Sequence, residues 1–115
     1  MTDKPADSAV LERLFKVIRS RRGGDAEKSY TAELFAGGTG TIPQKFGEEA
    51  VETIIAALLE SPAKVTRESA DLLYHLLVLW AEAGIEPADV WAELQRREGT
   101  SGLAEKKARS NTKGR

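Results

Sequence analysis

The stretch Leu72-Leu73-Tyr74-His75-Leu76-Leu77-Val78-Leu79-Trp80-Ala81-Glu82-Ala83 decides the fold. At about 100° per residue, Leu72, Leu73, Leu76, Leu77, Val78, Leu79 and Trp80 cover nearly the whole circumference of a helix rather than one stripe. Such a helix is central and buried. It is the longest apolar-dominated run in the chain and is well short of the roughly 20 apolar residues that span a bilayer. No stretch alternates with period two and no repeat is evident, so the cover for this helix must come from other helices. The class is all-α.

Punctuation on either side sets the neighbours. Ser61-Pro62 suits the start of this fourth helix, and Gly84 suits the left-handed residue that ends one, giving a helix over 62–83. Upstream, Thr41-Ile42-Pro43-Gln44 has the pattern of a capping box, an acceptor at the cap and Gln three residues on, so a third helix runs from there to Ser61-Pro62. Val10, Leu11, Leu14, Phe15 and Ile18 predict a first helix to about Arg21, capped by Asp7 or Ser8 and ended by Gly23-Gly24. Ser29 caps a short second helix, Tyr30–Ala36, which the turn Gly37-Gly38-Thr39-Gly40 terminates. That glycine cluster lacks the Lys-Ser/Thr sequel of a phosphate-cradling loop and is read as a hinge or loop. Downstream, Pro87 opens a fifth helix ending near Glu98-Gly99. The expected organisation is a disordered N-terminus over 1–9, one all-α domain over 10–99 built as a bundle of about five helices, and a partly ordered basic tail over 100–115.

Composition narrows the function. With 17 basic and 18 acidic residues the formal charge is -1, so no net field recruits nucleic acid or an anionic membrane, and neither is an expected partner. The chain has no cysteine, which excludes a disulfide framework, a thiolate metal site and a cysteine nucleophile. Met1 to Ala9 is polar and carries no signal-peptide core, making the cytosol the expected compartment. A chain of 115 residues buries enough surface for one domain, but a helix apolar on nearly every side asks for more cover than the other short helices supply. A homodimer or higher assembly is expected.

The chemistry lies in carboxylates. On the third helix Ala50, Val51, Ile54, Ile55 and Leu58 form an apolar stripe, with Lys45, Glu48, Glu49 and Glu52 gathered on the other side. Alone this is an ordinary amphipathic helix with a solvated acidic face. The fourth helix adds Glu68 and Asp71 on the side that continues through Leu72, His75 and Leu79. An ionised carboxylate approaching such surroundings costs several kcal/mol unless compensated, and a cation is the economical compensation. Residues three apart project to the same side of a helix, and the short turn makes the two helices antiparallel, so Glu49/Glu52 face Glu68/Asp71. Counted back from the turn the pairs sit about 11 and about 8 residues away, a mismatch of about 4 to 5 Å that long side chains absorb. Carboxylate oxygens without thiolate or clustered imidazole suit Mg²⁺ or Mn²⁺ better than zinc. Salt bridges to Lys45 or Arg67 are the competing explanation.

The spacing Glu-Glu-x-x-Glu followed by Glu-x-x-Asp resembles the all-α nucleoside triphosphate pyrophosphohydrolase superfamily of MazG-like and dimeric dUTPase-like enzymes. More specific are four ordered blocks: Ser29-Tyr30-Thr31, Lys45-Phe46-Gly47-Glu48-Glu49-Ala50-Val51-Glu52, residues 70–79, and Ser101-Gly102-Leu103-Ala104-Glu105-Lys106. Together, over about residues 10 to 109, they resemble the phosphoribosyl-ATP pyrophosphohydrolase family of histidine biosynthesis. The resemblance implies hydrolysis of 1-(5-phosphoribosyl)-ATP to the AMP derivative and pyrophosphate, the pathway's second step, by a Mg²⁺-dependent homodimer. It maps metal ligands onto Glu49, Glu52, Glu68 and Asp71 and makes Glu48 a candidate for polarising the attacking water. Many relatives are fused to the next enzyme of the pathway, which uses metal-binding cysteines and histidines; this chain has none of that machinery and is expected to act alone.

A phosphoanhydride is cleaved mainly by neutralising and aligning its oxygens, so flanking cations matter. Lys45 is placed either to meet phosphate oxygens or to form a helix salt bridge with Glu49. Arg21, Arg22, Lys28, Ser29 and Thr31 are further phosphate-binding candidates near helix ends, each with a plain solvated surface role as the alternative. Lys106, Lys107 and Arg109 are read either as folding over bound substrate or a neighbouring subunit, or as a disordered basic tail. His75, the only histidine, is read as a hydrogen-bonded structural residue in preference to a proton-transfer group. Trp80 and Trp91 are read as core or interface rather than as substrate stackers. Two rival functions stand beside this reading. One is a housekeeping pyrophosphohydrolase of free nucleoside triphosphates; the other is a non-catalytic helical module whose acidic patch pairs with a basic partner.

Overall fold

The computed structural model describes residues 6–99 and 102–113; expectations for residues 1–5, 100–101 and 114–115 lie outside the described residues. Among the described residues the chain has six helices: α1 (Ala9–Ser20), α2 (Tyr30–Ala36), α3 (Thr41–Leu59), α4 (Pro62–Ala83), α5 (Pro87–Glu98) and α6 (Gly102–Lys113). None is long and apolar enough to cross a membrane. The chain divides into two compact units, one ending at Gly84 and the other beginning at Ile85.

In the first unit the helix limits follow local chemistry. Asp7 Oδ1 accepts the Ala9 N–H at 3.0 Å and starts α1. Ser29 Oγ accepts the Ala32 N–H at 3.1 Å and starts α2, while Ser61 Oγ accepts the Lys64 N–H at 3.2 Å and Pro62 opens the first turn of α4. Gly84, at φ 77°, closes α4 in the left-handed conformation that a side chain would strain.

The start of α3 differs from the expected capping box. Gly40 occupies the cap position, Thr41 is already helical, and its Oγ1 donates to the Gly37 carbonyl at 2.6 Å. Gln44 cannot reach back because its amide donates to Glu48 Oε2 at 3.1 Å. The glycine turn makes this possible: a Cβ on Gly37 would stand 2.8 Å from Thr41 Oγ1, so only glycine permits the approach.

Packing centres on the antiparallel hairpin of α3 and α4, with α1 against α4 and α2 against α3. The core joins Phe15 and Ile18 of α1, Ala32 and Leu34 of α2, Ile42 and Ala56 of α3, and Leu77, Val78, Trp80 and Ala81 of α4. The central role of α4 is as expected, with Leu77 and Val78 fully buried. The shortage of cover falls instead on α3: Val51, Ile54, Leu58 and Leu59 are 53%, 56%, 76% and 79% exposed, with Leu73 of α4 at 44%.

The second unit contains α5 and α6. Pro87 opens α5, and Asp89 Oδ2 accepts the Glu86 N–H at 2.9 Å. The basic tail expected over 100–115 contains a further helix, α6, so that the described residues form six helices where about five were expected. Leu103-Ala104-Glu105-Lys106-Lys107-Ala108-Arg109 consists wholly of strong helix formers, a preference that a count of charges conceals.

Candidate metal centre between α3 and α4

Two half-buried carboxylates, Glu49 on α3 and Glu68 on α4, become neighbours because the Ser61 turn folds the helices back on each other. Thr53 marks the register at this level. Its Oγ1 lies 2.8 Å from the carbonyl oxygen of Glu49, one turn back on α3, and 3.3 Å from that of Glu68 across on α4. Asp71, exposed and one turn beyond Glu68, joins them, and one carboxylate oxygen from each of the three lies within 4.8 Å of the others.

Among the described residues, neither cation that the sequence offered as a neutralising partner serves the trio. Lys45 pairs with Glu48 at 3.4 Å, and Arg67 forms no ion pair with any of the three. Three like charges are thus drawn together without a basic side chain between them, an arrangement a hard cation would relieve. The donor set fits Mg²⁺ or Mn²⁺, being oxygen throughout, with neither sulfur nor imidazole.

Glu52 lies outside this trio, exposed to solvent. Three residues from Glu49 it stands about 60° further round α3, and the register that sets Thr53 opposite Glu68 leaves Glu52 on the flank. The four facing carboxylates expected from spacing are therefore three, with the fourth one turn along the helix. Asp71 also departs from expectation, since it projects into solvent and bears little of the desolvation cost that the apolar character of α4 suggested.

Glu48 is exposed and turned toward Gln44 and Lys45. The Gln44 hydrogen bond first, and the Lys45 charge second, hold its carboxyl below the usual range. Lys45 thus forms the helix salt bridge that was one of its two readings, but with Glu48 in place of Glu49.

His75 is buried one turn beyond Asp71. Its Nδ1 lies 2.8 Å from the Asp71 carbonyl oxygen, and since a carbonyl only accepts, Nδ1 carries the proton and donates. Nε2 faces the Tyr30 hydroxyl at 3.3 Å. The ring meets Tyr74 edge-on at 4.9 Å and Tyr30 at 6.1 Å, so the histidine is hydrogen-bonded and packed, as read from the sequence. Thr31 Oγ1 and the Tyr74 hydroxyl share a hydrogen bond at 2.5 Å, and burial pushes the Tyr74 phenol up. The roles of Tyr30, Tyr74 and Thr53 escaped the sequence reading. Tyr30 and Tyr74 stood inside recognised blocks, but no spacing rule pairs residues so far apart in the chain.

The remaining candidates divide by what already occupies them. Arg22 donates from Nη1 to the Ala81 carbonyl at 3.0 Å, pairs with Glu82 at 3.3 Å and lies over the Phe35 ring at 5.4 Å. Its guanidinium would leave these partners to reach a phosphate. Ser29 caps α2 and Thr31 is bonded to Tyr74, whereas Arg21 and Lys28 are exposed between α1 and α2. Trp80 is in the core of the first unit and Trp91 is half-buried in the second. Lys106 and Arg109 are exposed on α6.

Several proteins of similar sequence carry one description. The model of the phosphoribosyl-ATP pyrophosphohydrolase family matches residues 11–98. A phosphoribosyl-ATP pyrophosphatase of Paramagnetospirillum magneticum is 65% identical over 104 residues, 90% of this chain and 95% of the relative. One of Azospirillum brasilense is 57% identical over 111 residues, 96% of this chain and 100% of the relative. A third, of Rhodospirillum rubrum, is 58% identical over 105 residues, 91% of this chain and 90% of the relative. With a match that spans all of α3, α4 and the carboxylates they carry, the chain belongs to the phosphoribosyl-ATP pyrophosphohydrolase family.

Proposed function

We propose that this chain hydrolyses the α–β phosphoanhydride of 1-(5-phosphoribosyl)-ATP, releasing pyrophosphate and 1-(5-phosphoribosyl)-AMP in histidine biosynthesis, with Mg²⁺ held by Glu49, Glu68 and Asp71. The observation that carries the site is the convergence of these three carboxylates from two helices with, among the described residues, no basic side chain paired to them. Glu52 supplies a fourth oxygen by side-chain rotation, and Mn²⁺ fits the same donors. When bound, the cation neutralises the phosphate oxygens and favours charge build-up on the departing pyrophosphate.

The chain's own groups orient the rest. Glu48, whose carboxyl Gln44 and Lys45 hold below its usual range, accepts a hydrogen bond from the attacking water and takes its proton. Lys45, half-exposed beside it, turns from Glu48 to the phosphate oxygens as substrate arrives, supplying a positive charge that needs no metal. Arg21 and Lys28 are exposed sources of further phosphate contacts in the first unit, and Lys106 and Arg109 are further candidates carried over from the family resemblance. Ser29 and Thr31 act chiefly by fixing α2, and Arg22 by holding the end of α4.

The working form is a homodimer. The apolar face of α3, with Leu58 and Leu59 more than three-quarters exposed, is the surface a second copy would cover. Purified protein incubated separately with phosphoribosyl-ATP, ATP and dUTP in Mg²⁺, with products identified by mass, tests the activity. Pyrophosphate from phosphoribosyl-ATP with little turnover of the others is expected. Equal turnover of ATP would move the chain to a housekeeping role, and orthophosphate as first product would exclude this chemistry.

A further inference from the structure

We propose that Thr53 is a positioning residue for the metal site, tying together the backbones of two carboxylate-bearing residues on different helices. The inference rests on the reading of Glu49, Glu68 and Asp71 as metal ligands. Thr53 Oγ1 has one proton and two carbonyl acceptors in reach, Glu49 O at 2.8 Å and Glu68 O at 3.3 Å. Those carbonyls belong to the residues that bring α3 and α4 into the cluster. Thr53 itself is half-buried.

Two other threonines provide an internal comparison. Thr41 donates to Gly37 O at 2.6 Å and Thr66 to Pro62 O at 2.9 Å, each four residues back along the chain. This back-bond is a common habit of helical threonine and has no functional content by itself. At Thr53 alone among the three, the same hydroxyl also lies within reach of a carbonyl on the neighbouring helix. One turn on, Ala56 is 1% exposed, a small buried residue where the helices meet. Thr53 and Ala56 therefore set the α3–α4 separation on the same face, with Thr53 at the level of the ligands. A valine at 53 has nearly the same volume but no proton to share. The separation of Glu49 from Glu68 would then be set by looser packing, and binding would have to restore it.

The test is calorimetric titration of the full-length protein with Mn²⁺, without substrate, for wild type and Thr53→Val, Thr53→Ala, Thr53→Ser and Thr66→Val, with metal-free melting curves to establish folding. Loss of the hydroxyl in Thr53→Val and Thr53→Ala should weaken Mn²⁺ binding by about tenfold, within the range known for groups that orient metal ligands. Thr53→Ser, which keeps the hydroxyl, and Thr66→Val, which loses only an exposed back-bond, should bind like wild type. Turnover by Thr53→Val should also recover toward the wild-type kcat at high Mg²⁺. Wild-type affinity in Thr53→Val and Thr53→Ala would overturn the proposal. So would binding as weak in Thr53→Ser as in Thr53→Val, which would assign the effect to the methyl group. Failure of both hydroxyl-free variants to fold would make the residue merely structural. Absence of Mn²⁺ binding in wild type would instead refute the metal site itself.

Discussion

On α5, Glu93 meets Arg96 at 2.7 Å and Arg97 at 2.9 Å, and the two guanidinium hydrogen bonds hold its carboxyl at about 2. On α3 and α4, Glu49, Glu68 and Asp71 share a space within 4.8 Å and, among the described residues, have no ion-pair partner. Both centres begin from the same local material, acids and bases three and four residues apart on a helix. In Glu93-x-x-Arg96-Arg97 one acid meets two bases and the charge is settled within the helix. In Lys45-x-x-Glu48-Glu49 one base meets two acids: Lys45 is taken by Glu48, and Glu49 is left for whatever the next helix brings. That helix brings two more acids. A paired acid on a solvated face needs no ligand, whereas surplus negative charge collected across two helices invites one.

The sharpest way to break this contrast is to neutralise a member of the trio. Asp71→Asn and Glu49→Gln should each reduce pyrophosphate release by more than about 100-fold, beyond the loss typical of groups that only orient ligands. Metal-free melting temperature should stay level or rise, because like charges are relieved. A structural salt-bridge role predicts a fall in stability instead, with no change in the response to Mg²⁺.

Second in size is the apolar face of α3. Leu58→Glu or Ile54→Glu should weaken self-association by about 30-fold or more, as expected for a central interface position. Sedimentation across a concentration series measures it, and wild-type protein that remains monomeric at micromolar concentration would remove the dimer from the account.

Glu52→Gln should fall between the two centres, with a loss of about tenfold in kcat/KM, because its carboxylate lies outside the trio and joins by rotation. An effect as large as that of Asp71→Asn would make it an equal ligand, and wild-type kinetics would remove it from the set.

The smallest effect belongs to the paired centre. Glu93→Gln should leave activity and Mg²⁺ response unchanged. Since the Glu93 carboxyl is lowered from 4.5 to about 2, its contribution to stability is fully present above the higher value and is lost as pH falls through the lower one. Acid unfolding curves of wild type and Glu93→Gln should therefore differ near neutrality and converge below pH about 2; a gap that widened in acid would contradict the pairing.

How much of this was legible beforehand depends on the range of the interaction. Ser29, Ser61, Pro62 and Gly84 act within one turn of helix, and the limits they set for α2 and α4 are those observed. The carboxylates could be assigned to α3 and α4 because a three-residue spacing is itself a helical statement. Which of them converge could not, since that depends on the register between helices, marked here by the Thr53 hydroxyl against Glu68 O. Thr41 misled because its capping pattern is also the pattern of a threonine that bonds backward, and only the glycine at 37 decides between them. The helix α6 was concealed by charge, although its residues favour helix. The apolar stripe of α3 was correctly located, but whether a stripe packs inside its own subunit or faces a partner is not written in its period.

The most direct test of the central claim, that the unpaired trio is a metal site serving pyrophosphate release, combines two readings on wild type and Asp71→Asn: the rise in melting temperature across a Mg²⁺ titration, and the release of pyrophosphate from phosphoribosyl-ATP in the same buffers. The account predicts a Mg²⁺-dependent rise and turnover in wild type, and their joint loss in a variant at least as stable as wild type without metal. Full turnover by Asp71→Asn, or a variant destabilised without metal yet unchanged in its Mg²⁺ response, would contradict it.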